Sequence, residues 1–303
     1  MWFVYGIAAA ACFGVRGILY QWSSQRRLNR NALLFGVYLS GMLVAILINA
    51  ALGQKWTDGA WWGVLMGSFS FVANASMYKG YAVGKASLIA LLTALPPLVV
   101  ASVAFFLWGE KLGFGQLAGF VVVLIGLIAI RYSSDLRNGE LRGLQWGLLT
   151  LFFFGFTDLT SKQSTLSGGE TLPTLILMYA TGTLLFAGQW LFGSISASRI
   201  KRETAAGLEQ EADGGIRVHA TGWTTSRTLW WGMTVGLTNI AGMLFLIPAF
   251  QQGTTGIVSA LGAMNAAIVL GYAKFFLKEE MRRREMIGIV LTLGGIVVLR
   301  IAS

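Results

Sequence analysis

Residues 63–97 read GVLMGSFSFVANASMYKGYAVGKASLIALLTALPP, and residues 232–266 read GMTVGLTNIAGMLFLIPAFQQGTTGIVSALGAMNA. At a constant offset of 169 the second stretch follows the first without a gap, and the register continues to residues 134 and 303. Fifteen of 72 aligned positions are identical, among them Gly63/Gly232, Gly67/Gly236, Gly84/Gly253, Leu92/Leu261, Ala94/Ala263, Glu110/Glu279, Gly119/Gly288, Gly126/Gly295 and Arg131/Arg300. Five shared glycines in one ungapped register indicate an internal duplication. The beginnings of the halves pair at a second offset, 141, which lays FGVRG (13–17) on FGFTD (154–158). The offset changes because the link at 194–228, which contains KRETAAGLEQEAD, is longer than its counterpart at 54–60. The halves are therefore 1–134 and 143–303, with the longer polar loop at 194–228 in the second.

The duplicated stretch is strongly apolar, and so is the rest of the chain. Of 303 residues 55% are hydrophobic and only 12% charged, about half the charge of an ordinary soluble domain, and the mean hydropathy is +0.66. Ten apolar runs recur at roughly 2–20, 31–53, 61–82, 86–108, 115–131, 143–163, 171–193, 229–251, 255–277 and 285–302, each about the length that crosses a bilayer as a helix. The expected fold is an all-α integral membrane protein of ten transmembrane helices in two five-helix repeats. An odd number of spans per repeat puts the second half into the membrane in the opposite sense, the plan of many secondary transporters. The first run lacks the basic start and small-residue site of a cleavable signal, which predicts an uncleaved first helix.

The charges report orientation rather than a nucleic-acid partner. The net charge is +10, but sixteen Lys and Arg residues fall in the links after odd-numbered spans. Only three, Lys55, Lys111 and Arg300, fall on the other side. By the positive-inside rule the basic face is cytoplasmic and both termini lie outside, in the plasma (inner) membrane of a multi-pass protein. Ten tryptophans near span ends fit the membrane interface. Cys12 is the single cysteine and His219, in the polar link, the single histidine, so neither a disulfide nor a cysteine or histidine metal cluster is expected, and no cofactor.

The order of short motifs resembles the drug/metabolite transporter superfamily, in its ten-helix EamA-like form. The resemblance spans both halves. It rests on the aromatic–Gly pattern CFGVRG (12–17), repeated as FFGFTD (153–158), and on TALPP (93–97). GEKLGFGQLAG (109–119) and VVLIG (122–126) follow, with a weaker second copy KEEMRRREMIG (278–288). Two departures stand out. Asn265 and Ala266 occupy the places of Pro96 and Pro97, so the repeats need not bend alike. Many EamA-like proteins also start inside, whereas the charge count here starts outside. The resemblance implies a cavity lined by spans 1, 3, 4, 6, 8 and 9.

Charged and polar residues within the spans are the candidate site, because such groups are expensive in hydrocarbon. Arg16 either snorkels to the interface or walls an anion-friendly cavity, while Lys79 and Lys274 lie near span ends, within snorkelling reach. Asp158 is the single acid well inside a span. Lys162 follows it at i+4, on the same helix face, which reads either as a structural clamp or as a carboxylate tuned for proton or substrate binding. Asp158 and Lys162 are therefore the coupling candidates. Asn74, Tyr78, Asn239 and Asn265 are candidates for hydrogen bonds to a substrate, with interhelical glue as the alternative. Pro96, Pro97 and Pro248 remove backbone donors and are candidates for kinks or gates.

These readings favour a secondary transporter working by alternating access on a small polar or amphipathic metabolite, an amino-acid-like, anionic or zwitterionic solute. A flippase for a lipid-linked substrate is the alternative. A membrane-embedded transferase is disfavoured by the lack of clustered carboxylates or a nucleophile–base pair. The expected partners are the solute and the bilayer, with proton coupling possible and a monomer or homodimer as the assembly.

Overall fold

The computed structural model describes residues 1–26, 28–84, 86–131, 142–207, 223–276 and 283–302. Among them the chain is helical and contains no strand. The helices are α1 (Trp2–Gln25), α2 (Arg30–Leu52), α3 (Trp62–Val83), α4 (Ala86–Thr93), α5 (Pro96–Trp108) and α6 (Phe114–Arg131). In the second half follow α7 (Leu144–Leu166), α8 (Thr171–Gly207), α9 (Thr225–Gln252), α10 (Thr255–Ala263), α11 (Asn265–Phe275) and α12 (Arg283–Ile301). A single 3₁₀ turn, Asp58–Trp61, precedes α3. In lipid every backbone polar group needs an internal partner, and a helix supplies it within the segment.

Among the described residues six stretches are long and apolar enough to cross a membrane: Trp2–Tyr20, Arg30–Leu52, Leu88–Trp108, Thr171–Phe192, Thr225–Gln252 and Thr255–Tyr272. Their outer faces carry large apolar side chains, such as Leu47 (69% exposed), Phe106 (82%) and Leu184 (73%), a surface suited to acyl chains rather than water. This is a multi-pass membrane protein.

Two of these stretches are helical in two pieces. Between α4 and α5, Leu95 leaves the helical region (φ −100, ψ 3) ahead of Pro96 and Pro97, because a residue before proline is disfavoured in α conformation. Between α10 and α11 no proline is present. There the turn tightens, with the Met264 amide donating to the Leu261 carbonyl (3.1 Å) and the Ala267 amide to the Met264 carbonyl (2.9 Å). The halves are thus interrupted at matching places by different backbone chemistry, although only one has the prolines. Pro248 lies within the single helix α9.

The link expected as a loop from 194 begins as helix instead, since α8 runs on to Gly207 and α9 starts at Thr225. Residues 208–222, His219 included, lie outside the described residues.

Glycines set how closely the helices pack. On α3, a Cβ at Gly63 would stand 2.3 Å from the Thr174 carbonyl oxygen of α8, and one at Gly67 2.3 Å from that of Met178. On α9, a Cβ at Gly232 would stand 2.3 Å from the Leu33 oxygen of α2, and one at Gly236 2.5 Å from that of Val37. Small residues at such crossings let backbones touch, and van der Waals contact replaces the hydrophobic drive that lipid removes. Between these pairs lies the main core, built around Leu34, Tyr38, Met66, Tyr179, Phe186, Ile247 and Phe250.

Candidate functional site

The helices enclose a cavity of about 980 Å³. Its wall includes Arg16 from α1, Asn74 and Tyr78 from α3, Asp158 from α7, Asn239 from α9 and Asn265 from α11. Pro96 and Pro97 line it at the α4–α5 break, where a helix start leaves backbone without intrahelical partners. Pro248 and Lys162 are not among its lining residues.

Arg16 does not snorkel away. Its Nη1 donates to the Asn239 side-chain oxygen, and its guanidinium lies 4.6 Å from the Phe13 ring centre and 5.9 Å from that of Tyr20, within cation–π range. Its Nε is buried without a hydrogen-bond partner. Beside it the Asn74 amide donates to the Tyr38 hydroxyl (3.2 Å) and to the Ser70 carbonyl (2.8 Å), and Tyr38 and Ser70 share a further hydrogen bond. Asn74 therefore joins α3 to α2 as well as facing the cavity.

Asp158 accepts a hydrogen bond of 2.5 Å from the Ser259 hydroxyl of α10. Its anticipated partner at i+4 is directed elsewhere. Lys162 Nζ donates to the carbonyls of Phe250 (2.8 Å) and Gly253 (3.2 Å) and lies 3.6 Å from Glu110. Spacing placed the two side chains on one face of α7, but the unfilled carbonyls at the end of α9 draw the ammonium away. Among the described residues, neither Arg16 nor Asp158 has an ion-pair partner, in each other or elsewhere.

Lys79 and Lys274 do not add to the charge of the interior. Lys79 is exposed and lies over Trp146 (5.1 Å). Lys274 approaches Met286 and Phe275. Neither lines the cavity. Its second guanidinium is that of Arg30, 4.4 Å from the Tyr78 ring centre. Arg30 reads in the sequence as one of many interfacial arginines, and Tyr38 and Ser259 as ordinary members of apolar helices.

The cavity is lopsided. Ser23, Arg30, Tyr81, Ile130 and Glu285 line it, all at helix ends that adjoin the basic links. At the other end the turns are joined to one another: Thr57 bonds Gly168 (2.9 Å), Trp62 bonds Ser167 (3.1 Å), the Leu172 amide bonds Gln54 (2.7 Å), and Trp108 bonds Gln163 (3.2 Å). Apolar helices surrounding a chamber with polar side chains set in its wall, open toward one end, have the form of a solute pathway.

The sequence matches the EamA-like transporter family over residues 1–132 and again over 141–301. The chain belongs to the EamA-like transporter family. An uncharacterized protein of Methanocaldococcus jannaschii is 32% identical over 80 residues, which are 26% of this chain and 58% of that protein; the chain thus spans little more than half the length of that curated relative. A solved crystal structure superposes with a TM-score of 0.71 at 15% identity, covering 100% of this chain and 99% of the other, a likeness of fold alone. The family is one of transporters. Groups of three or more His, Cys, Asp or Glu side chains placed to hold a metal ion are absent among the described residues.

Proposed function

We propose that this EamA-like protein is a secondary transporter of a zwitterionic, amino-acid-like solute, held between Arg16 and Asp158. The observation that carries this reading is that a guanidinium and a carboxyl group line one cavity without pairing with each other. Buried charges are normally paired, since leaving them unpaired is costly. A solute bearing a carboxylate and an ammonium supplies both missing partners at once. Asn239 and Ser259 then orient the two side chains, and Asn74, Tyr78 and Asn265 offer further hydrogen bonds. If proton movement accompanies transport, Asp158 is the carboxyl group placed to carry the proton, since Glu285 lines the cavity at the end by the basic links, and Lys162, committed to Glu110 and α9, is the poorer candidate for coupling.

The architecture we infer is ten transmembrane helices in two inverted repeats, with α4–α5 and α10–α11 each forming one interrupted span. Pairings at the glycine crossings support it. Gly63 and Gly67 meet Thr174 and Met178, while Gly232 and Gly236 meet Leu33 and Val37; the first two map onto the second two at offset 169 and their partners map at 141. Gly182 abuts Tyr38 and Gly41 abuts Tyr179, again related by 141. Cavity positions pair in the same way: Phe13 with Phe154, Arg16 with Thr157, Ser70 with Asn239, Thr93 with Gly262. A site shared by both repeats suits alternating access, in which one repeat rocks against the other. The charge distribution supports a cytoplasmic basic face with both termini outside.

The test is thermal stabilisation of the detergent-purified protein by a graded solute series: amino acids, their amides, their N-acyl derivatives, sugars and nucleosides. Amino acids alone should stabilise, and a response confined to sugars, nucleosides or long-chain lipids would replace this reading. Ser259→Ala should weaken the stabilising amino acid about three- to tenfold, since the hydroxyl contact that orients Asp158 is worth on the order of 1 kcal/mol. Isothermal titration measures the difference.

A further inference from the structure

The Gly-Glu turn at 109–110 resembles a family motif, yet the transport site does not use it. Gly109 adopts the left-handed conformation (φ 65) that ends α5, a region glycine enters without Cβ strain. Its amide and that of Glu110 fold back on the carbonyls of Phe105 (3.1 Å) and Ala104 (3.4 Å). The turn delivers the Glu110 carboxylate to the start of α10, where it accepts from the Thr255 amide and from the Thr255 hydroxyl, each at 2.7 Å. A carboxylate there satisfies an orphan amide and favours the positive end of the helix. From the other side Lys162, 7% exposed, binds the last carbonyls of α9 and closes the ion pair to Glu110 at 3.6 Å.

Four helix ends, those of α5, α7, α9 and α10, are thereby fastened to one carboxylate–ammonium pair. The pair lies at the end where the cavity stops, beside the other joined turns. It is also stacked on the site. Asp158 and Lys162 are four residues apart on α7, and Thr255 and Ser259 are four apart on α10, so the Asp158–Ser259 contact and the Glu110–Lys162–Thr255 contact are successive rungs between the same helices, about 6 Å apart along the axis.

We propose that Glu110, acting through Lys162 and Thr255, is the latch that closes the transport cavity at the end opposite the basic links and releases when that end opens. The inference rests on the alternating-access reading. Because a buried ion pair that loses one partner leaves an uncompensated charge, the pair must break or form as a unit, which makes the closed and open states distinct rather than graded. Engagement of Asp158 by a solute, one turn away on the same helix, is positioned to loosen or tighten it.

The first arm of the test reads access rather than transport, so it stands whatever the solute. In a Cys12→Ala background, Ala263→Cys places a single thiol in the cavity wall. Vesicles of known orientation are treated with a membrane-impermeant maleimide from either face. With the latch intact, labelling should come from the face of the basic links. Glu110→Gln and Lys162→Met should raise labelling from the opposite face about tenfold, as a minor open state of about 1–10% becomes a major one, while labelling from the basic face persists as the control for folding. Unchanged labelling from the opposite face would overturn the latch. A second arm joins Glu110→Cys to Thr255→Cys with a short reducible bismaleimide: counterflow should stop and return on reduction, whereas undiminished counterflow by the joined protein would equally overturn it. Absence of counterflow in every variant, with the labelling pattern as described, would instead count against the transport reading and leave the latch standing.

Discussion

With Arg16 replaced by alanine, an amino acid and its amide should bind equally well, whereas the unaltered protein should prefer the amino acid by about 10- to 150-fold. A hydrogen bond to a charged group contributes about 1.5–3 kcal/mol, and the buried Arg16 Nε has a donor to spare. Asp158→Asn should give the complementary result. Discrimination between the amino acid and its N-acyl derivative disappears, and discrimination against the amide survives. Each substitution erases sensitivity to one end of the solute, which a merely destabilised protein would not do. Titration calorimetry of three ligands against three proteins is sufficient. Loss of affinity for all ligands alike in both variants would mean that Arg16 and Asp158 shape the cavity without touching what occupies it.

The second large effect concerns stability. Gly63→Val and Gly232→Val should each lower the unfolding midpoint in detergent sharply, and the pair together should prevent recovery of folded protein. The added carbons meet backbone oxygens at 2.3 Å, and backbone cannot rotate away as a side chain can. Overpacking costs about 1–3 kcal/mol where neighbours can adjust, and here adjustment means moving whole helices. Gly188→Ala and Gly294→Ala are the counterpart, since nothing lies within 4 Å of a Cβ at either position. There the gain in helix propensity, about 1 kcal/mol per residue, should leave the midpoint unchanged or higher. Intrinsic fluorescence during heating measures all four.

Much of this molecule is legible in its sequence because lipid imposes strict rules. A membrane-spanning helix must be apolar and about 20 residues long, so runs such as 31–53 announce themselves. Intramembrane polar groups are rare enough that Arg16, Asn74, Asp158, Asn239 and Asn265 could be singled out one by one, and all five line the cavity. The failures share a cause. Asp158 and Lys162 stand at i, i+4 and read as partners, but spacing along one helix says nothing of the carbonyls that α9 and the carboxylate that α5 bring to the same spot. Glu110, four residues before Phe114, reads as a turn residue because its partner Thr255 is 145 positions away. Arg30, at the first turn of α2, is indistinguishable in sequence from its interfacial neighbours and is turned inward onto Tyr78. Lys79, by contrast, reads as within snorkelling reach of a span end, and it is exposed and lies over Trp146.

The latch and the site also bear on each other. If a solute's ammonium joins Ser259 on Asp158, the rung between α7 and α10 changes one turn from Lys162, and the repeats gain a means of sensing occupancy. Such a device needs no change within the pairs α3–α8 and α2–α9, which their glycine crossings hold rigid.

The most direct measurement is counterflow in proteoliposomes loaded with an amino acid and given a trace of the same compound, labelled, outside. The account predicts transient accumulation by the unaltered protein, none by Arg16→Ala or Asp158→Asn, and no competition from the amide or the N-acyl derivative. Accumulation that persists in both variants, or that the singly charged analogues abolish as readily as the zwitterion does, would contradict it.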